Sequence, residues 1–169
     1  MSMNYNSMMV AMCGLQGTGK TTVAKELSRR LAWPLHRTDV IRQQLFPDMQ
    51  WTERETDATY DELFRRAERG LRTDSRVILD ATFSRKKYRT KAKAIAEKRQ
   101  CQFRLIETTC SDAIVKKRLE TRTGDESLAD FGVYLKSKEI FEFVDEPHIT
   151  VDTSTEIDYE SLIARIRST

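Results

Sequence analysis

The chain has 169 residues, of which 33% are charged and 39% hydrophobic, and its net charge is +3. That length fits one domain with a full core. No apolar run is long enough to span a membrane, and so small a net charge gives no bulk reason to bind nucleic acid. The opening residues 1–7 lack both the basic region and the long apolar stretch of a signal peptide. They are expected to be a disordered terminus, leaving residues 8–169 as a single domain. The cysteines, Cys13, Cys101 and Cys110, are odd in number and without metal-ligand spacing. Each falls in or beside an expected strand, so reduced core thiols and a cytoplasmic location are expected. No internal repeat or low-complexity linker is visible.

Met8–Cys13 is a short apolar run that reads as a buried strand. Gly14-Leu15-Gln16-Gly17-Thr18-Gly19-Lys20-Thr21 follows and fits G-x-x-x-x-G-K-[ST], a phosphate-binding loop. Its glycines let backbone N–H groups approach phosphate oxygens. Lys20 brings a point charge to the β and γ phosphates. The Thr21 hydroxyl suits Mg²⁺, an ion that takes few protein ligands. The segment from Gly14 through Thr22 is therefore the expected ATP site. Val23, Ala24, Leu27 and Leu31 then recur at helical spacing until Trp33-Pro34.

Leu35–Thr38 is expected as a second strand, with Asp39 and a short helix through Arg42 and Leu45 after it. Thr52-Glu53-Arg54-Glu55 is a capping box, opening a helix with Tyr60, Leu63, Phe64, Ala67 and Leu71 on one face. Arg76–Asp80 reads as a buried strand ending in an acid. A basic helix covers about 86–99, a fourth strand 102–107, and Ser111 is placed to cap a helix holding Ile114, Val115 and Leu119. A polar stretch, residues 121–126, reads as mobile. A helix from about Leu128 to Val144, a fifth strand at 148–152 and a last helix over 159–166 complete the chain.

Strands alternate with helices, which implies an α/β domain with a five-stranded parallel sheet covered on both faces. In such sheets ligands sit outside the carboxyl ends of the strands. The glycine loop, Asp39, Asp80, Thr108 and Thr153 all fall on that rim. Phosphoryl transfer needs a phosphate cradle, a metal, cations over the migrating group, and an oriented nucleophile. Asp39 is the candidate general base, though a helix N-cap would also explain it. Asp80 is a candidate for holding Mg²⁺ or for facing the acceptor. Arg118 and Arg122, four apart beside the mobile stretch, are candidates for a charge-neutralising lid, or for ordinary pairing with Glu120 or Asp125. The cations Arg85, Lys86, Lys87, Arg89, Lys91 and Lys93 crowd a helix start, where each is unfavourable by roughly several tenths of a kcal/mol. Arg85 and Arg89 are candidate acceptor contacts, while a solvated face would account for most of the run. Nucleic acid is not favoured, because stacking aromatics are sparse there (Phe83 and Tyr88).

The strings Gly14 to Thr21, Thr38-Asp39-Val40-Ile41-Arg42, Val77 to Thr82 and Arg118-Leu119-Glu120-Thr121-Arg122 together resemble the P-loop kinase group. Within it they resemble a branch of AAA-type kinase-like proteins, similar to polynucleotide 5′-hydroxyl kinase domains and zeta-toxin kinases. The resemblance spans about Met8 to Thr153. It implies a three-layer P-loop NTPase fold with a small lid and sheet order 2-3-1-4-5. It implies that Asp39 is the general base and Arg42 an acceptor contact, with Lys20, Thr21, Arg118 and Arg122 at phosphate, metal and lid positions. The D-G-x-P-R sequence of nucleoside monophosphate kinases is replaced by Asp80-Ala81-Thr82-Phe83-Ser84-Arg85. Within these 169 residues no phosphatase or ligase domain is expected beside the kinase-like part.

A guanine-nucleotide switch needs N-K-x-D, yet Asn4 and Asn6 are the only asparagines. A ring ATPase needs a further lid domain and a neighbour's arginine finger. The expected activity is an ATP- and Mg²⁺-dependent transfer of the γ-phosphoryl group to a hydroxyl of a small-molecule or nucleotide-like acceptor, by a monomer. The alternatives are a polynucleotide 5′-hydroxyl kinase and a nucleotide-binding ATPase module without an acceptor.

Overall fold

A computed structural model describes residues 7–121 and 130–168. The elements are β1 (Met8–Cys13), α1 (Lys20–Leu31), β2 (Leu35–Arg37), α2 (Thr38–Leu45), α3 (Glu53–Thr73), β3 (Arg76–Asp80), α4 (Lys86–Lys98), β4 (Gln102–Thr109), α5 (Asp112–Thr121), α6 (Phe131–Ile140), β5 (Ile149–Asp152) and α7 (Tyr159–Arg167). The sheet is parallel throughout, in the order β2-β3-β1-β4-β5. That is the order the family resemblance implies.

β1 lies at the centre, with all six residues buried. Its alternation builds two cores. Met9, Ala11 and Cys13 join the aromatic side of α3 and α4, with Tyr60, Leu63, Phe64 and Tyr88. Met8, Val10 and Met12 join Val23 and Leu27 of α1 and Leu162 and Ile166 of α7. A strand buried on both faces must be apolar at every position, which is why this run lacks polar alternation. Ser7, counted with the terminal segment in the sequence reading, is buried, and its carbonyl accepts from Gln102 N at 2.9 Å.

Two boundaries in particular differ from the sequence reading. Thr38 opens α2 instead of ending β2, and its hydroxyl donates to the Asp80 carbonyl at 3.3 Å. Asp39 therefore lies in the first turn of α2 and is not the N-cap, a position held by Arg37. The helix expected to run to Val144 stops at Ile140. The chain beyond it is held extended: Arg89 binds the Glu142 and Phe143 carbonyls at 3.2 and 2.9 Å, Glu142 N donates to Ser84 O at 2.8 Å, and Val144 enters the core. The residues expected to begin that helix, and most of the stretch 121–126, lie outside the described residues. The capping box at Thr52 and Glu55 forms in both directions.

All three cysteines are free thiols. Burial pushes Cys13 up to about 12 from 9.0, and Cys101 up to about 11. Folding thus favours the protonated thiols. Above about pH 9 the unfolded chain has lost these protons while the folded chain retains them, so stability declines as pH rises through that window. Urea midpoints are expected to hold between pH 7 and 8.5 and to fall from pH 9 to 11, with Cys13→Ala reducing the slope.

Candidate functional site

The glycine loop closes as a cradle because neighbouring strand ends hold it. Gly14 has φ +137, and a Cβ there would lie 2.7 Å from the Thr108 carbonyl oxygen. Gly19, at φ +85, precedes α1 directly. Thr18 Oγ1 donates to Leu15 O at 2.6 Å and meets Thr108 Oγ1 at 2.9 Å, while Thr153 Oγ1 donates to Thr18 O at 2.8 Å. Lys20, only 8% exposed, donates to Leu15 O at 3.0 Å. The lysine thus rests on the loop's own carbonyl, within the space where phosphate oxygens would compete for it.

Thr21 Oγ1 donates to Asp80 Oδ2 at 2.7 Å. The same oxygen faces Arg37 Nε at 3.2 Å, in a pair with both side chains buried. A hydroxyl and a carboxylate, both hard oxygens at the foot of the phosphate cradle, fit Mg²⁺ held partly through water. The sequence reading did not single out Arg37. It looks like one more alternating residue of a short strand, and only the β2–β3 register, Arg37 beside Asp80, reveals the pair.

These groups open into a cleft of about 630 Å³. Gln16, Gly17, Gly19, Lys20, Thr21, Thr22 and Lys25 form one wall. Thr38, Asp39 and Arg42 come from α2, and Trp51, Glu53, Thr56 and Tyr60 from the start of α3. Asp80, Ala81, Thr82, Ser84, Arg85 and Tyr88 form the floor, and Val133, Ser137 and Ile140 of α6 complete it. Asp39 and Arg42 stand one helical turn apart on α2 and share the cleft. Arg42 Nη2 donates to Thr56 Oγ1 at 3.2 Å. Burial draws its guanidinium below the ordinary pKa, against the opposing carboxylates of Glu55 and Asp39.

The floor is held rigid from below. Tyr60 OH accepts from Phe83 N at 2.9 Å, its ring stacks on Tyr88 at 3.7 Å, and Phe83 adopts φ +45. Burial raises the pKa of both phenols above the ordinary value.

Several of the arginines named from sequence are placed otherwise than their spacing suggested. Arg85 lines the cleft but is paired with Glu53. Arg89 is not brought to the cleft: 1% exposed, it binds Phe83 O at 2.9 Å and Glu146 at 3.0 Å. The basic run is largely matched by protein acids, with Lys87 on Asp57 at 2.8 Å, Lys91 on Asp61 at 2.7 Å and Lys86 on Asp145 at 2.7 Å. Glu53, Asp57 and Asp61 recur every fourth residue of α3, a stripe whose partner helix no local pattern identifies. Arg118 binds Thr153 O at 2.6 Å and Thr153 Oγ1 at 2.9 Å, bracing the residue that holds Thr18. Arg122 lies outside the described residues.

A family model described as an AAA domain (AAA_33) matches residues 9–143. No curated protein matches the sequence. Among solved structures, a proposed kinase of Chloroflexus aurantiacus is 20% identical, covers 96% of this chain and 97% of that one, and has a TM-score of 0.73. The APS kinase of Mycobacterium tuberculosis, in complex with AMPPNP and APS, is 16% identical over 95% and 96%, with a TM-score of 0.71. A gluconokinase of Sinorhizobium meliloti is 16% identical over 96% and 90%, with a TM-score of 0.69. At these identities the shared property is the fold, which is that of P-loop kinases.

Removing Arg37 would strand a buried carboxylate. Arg37→Met is expected to cost roughly 3–5 kcal/mol in urea unfolding, and Arg37→Met with Asp80→Asn to recover most of it. Equal destabilisation by the single and double variants would refute the pairing.

Proposed function

The chain belongs to this AAA domain family, and from that premise we propose that it is an ATP-dependent kinase transferring the γ-phosphoryl group to a hydroxyl of a small-molecule or nucleotide-like acceptor. One observation carries the reading: Lys20, Thr21 and Asp80 share a single cleft with Asp39 and Arg42. A module that only held nucleotide would need the first three. A carboxylate and a buried guanidinium on a separate helix of the same cleft suit a second substrate.

In this reading the backbone of residues 14–22 cradles the phosphates, and Lys20 leaves Leu15 O to contact the β and γ groups. Thr21 and Asp80 would hold Mg²⁺, which when bound offsets phosphate charge. Arg37 pairs with the Asp80 carboxylate and orients it. Arg42, with Arg85 beside it, fixes the acceptor. Asp39 accepts the proton of the acceptor hydroxyl as its oxygen bonds to the γ phosphorus. The bond from that phosphorus to the β–γ bridging oxygen breaks, and its electron pair leaves with ADP. Arg118 acts at one remove, by bracing Thr153 against the loop. Arg122 is proposed as a lid cation.

Asp39→Asn separates a chemical role from a structural one. Acceptor-dependent ADP release is expected to fall by about 10²–10⁴-fold, with ATP affinity unchanged by calorimetry. Lys20→Met is expected to lose ATP binding itself. Turnover that persists in Asp39→Asn with every acceptor tried would exclude the assignment.

A further inference from the structure

Arg89 is the most deeply buried charged side chain among the described residues, at 1% exposure. Each nitrogen of its guanidinium is engaged. Nε donates to both carboxylate oxygens of Glu146, at 3.0 and 3.1 Å. Nη1 donates to Phe83 O and Glu142 O at 2.9 and 3.2 Å, and Nη2 to Phe143 O at 2.9 Å. What these bonds join is informative. Phe83 stands in the cleft floor between Thr82 and Ser84, and residues 142–146 follow α6, whose Val133, Ser137 and Ile140 line the cleft. One buried guanidinium therefore splices the floor to the α6 wall.

The wall's other attachments specify its place less. Toward α5, Tyr134 OH and Lys138 Nζ donate to Asp112 at 2.6 and 2.8 Å, and that ion pair is about half exposed. Exposed pairs contribute little, whereas breaking a buried one is costly. Phe141 and Val144 pack on the core, but apolar contact is non-directional. The carbonyls held by Arg89 fix the direction in which the chain leaves α6. Val133, Ser137 and Ile140 recur at i, i+4 and i+7, so one stripe faces the cleft. Val133 and Ile140 are 42% and 63% exposed, which places them at its open edge. Apolar side chains there offer water no hydrogen bond, and a site that excludes water protects a reactive group from hydrolysis. Resting on the kinase reading, we propose that Arg89 is a positioning residue for the α6 wall, holding Val133 and Ile140 where they keep water from the γ-phosphoryl group. With the wall displaced, a water oxygen bonds to the γ phosphorus and the bridging oxygen leaves with its electron pair as ADP. One proton of that water passes through Asp39 to solvent, and inorganic phosphate is released.

The test measures ADP release from ATP and Mg²⁺ without any acceptor, beside AMPPNP affinity by calorimetry and urea midpoints. Val133→Ser with Ile140→Ser, an exposed pair, is expected to raise this release about tenfold, with AMPPNP affinity and midpoint unchanged. Arg89→Met with Glu146→Gln leaves no carboxylate without its partner and is expected to show the same rise, again with AMPPNP affinity retained. Arg89→Lys keeps the charge but loses the fork that reaches the carbonyls, and is expected to leak as well. It supplies the reading if the Arg89 double variant does not fold. A role in stability alone makes ADP release follow the folded fraction, so that it holds or falls in every variant. Absence of the rise in the α6 pair or in the folded Arg89 variants overturns the proposal, and so does loss of AMPPNP affinity in them. Gluconate, adenosine and a 5′-hydroxyl oligonucleotide are then added as acceptors. Asp39-dependent turnover of one of them beside an unaltered leak leaves the kinase reading standing and this proposal fallen. A raised leak with no acceptor turned over upholds the wall and counts against the kinase reading.

Discussion

The Asp80 carboxylate is the point where the site is joined. It ends β3, accepts from Thr21 at the start of α1, and pairs with Arg37 at the end of β2. Three consecutive parts of the sheet rim are thereby fixed to one oxygen atom. A carboxylate that is 4% exposed would be costly alone. The paired guanidinium and the threonine hydroxyl make it tolerable. Because both partners sit at strand and helix ends, the register of β2 on β3 is tied to the geometry of the phosphate cradle. Thr38, whose hydroxyl reaches the Asp80 carbonyl, starts α2 from the same junction and so sets where Asp39 and Arg42 stand.

The opposite side of the loop is held by hydroxyls. Thr108 and Thr153, just inside or beyond the ends of β4 and β5, clasp Thr18, and Arg118 in turn holds Thr153. The loop is thus built in advance of any phosphate, held by residues at or just past the ends of β3, β4 and β5. Such preorganisation matters for phosphoryl transfer, where placement and charge supply most of the catalysis. Arg89 performs the same service for the floor. It ties Phe83 to the extended chain after α6, so that the floor of the cleft is anchored by side-chain hydrogen bonds to three carbonyls.

Much of this was legible from the chain. The β1 run, the glycine loop and the capping box each encode their structure within a few residues, since sterics, burial on both faces and local hydrogen bonds act over that range. The rim rule placed Asp39, Asp80, Thr108 and Thr153 together before any coordinates. The arginines were harder. Arg85, Arg89, Arg118 and Arg37 carry the same charge in sequence, yet one pairs at the cleft, one is sealed in the core, one braces a loop and one neutralises Asp80. Their partners, Glu53, Glu146, Thr153 and Asp80, lie 32 to 57 residues away. No local period reports a contact at that distance.

By itself, then, the sequence determined the phosphate loop, the alternation of strands and helices, and the acids on one rim, because each follows from short-range periodicity and the rule for parallel sheets. Tertiary structure alone decided which charges are spent on the protein and which remain for a ligand. Most of the basic run before and within α4 is matched by acids of α3 and of the chain after α6. Arg42, by contrast, has one guanidinium nitrogen that packing buries without a hydrogen-bond acceptor among the described residues. Charge is a property of a residue, but an unsatisfied charge is a property of its surroundings.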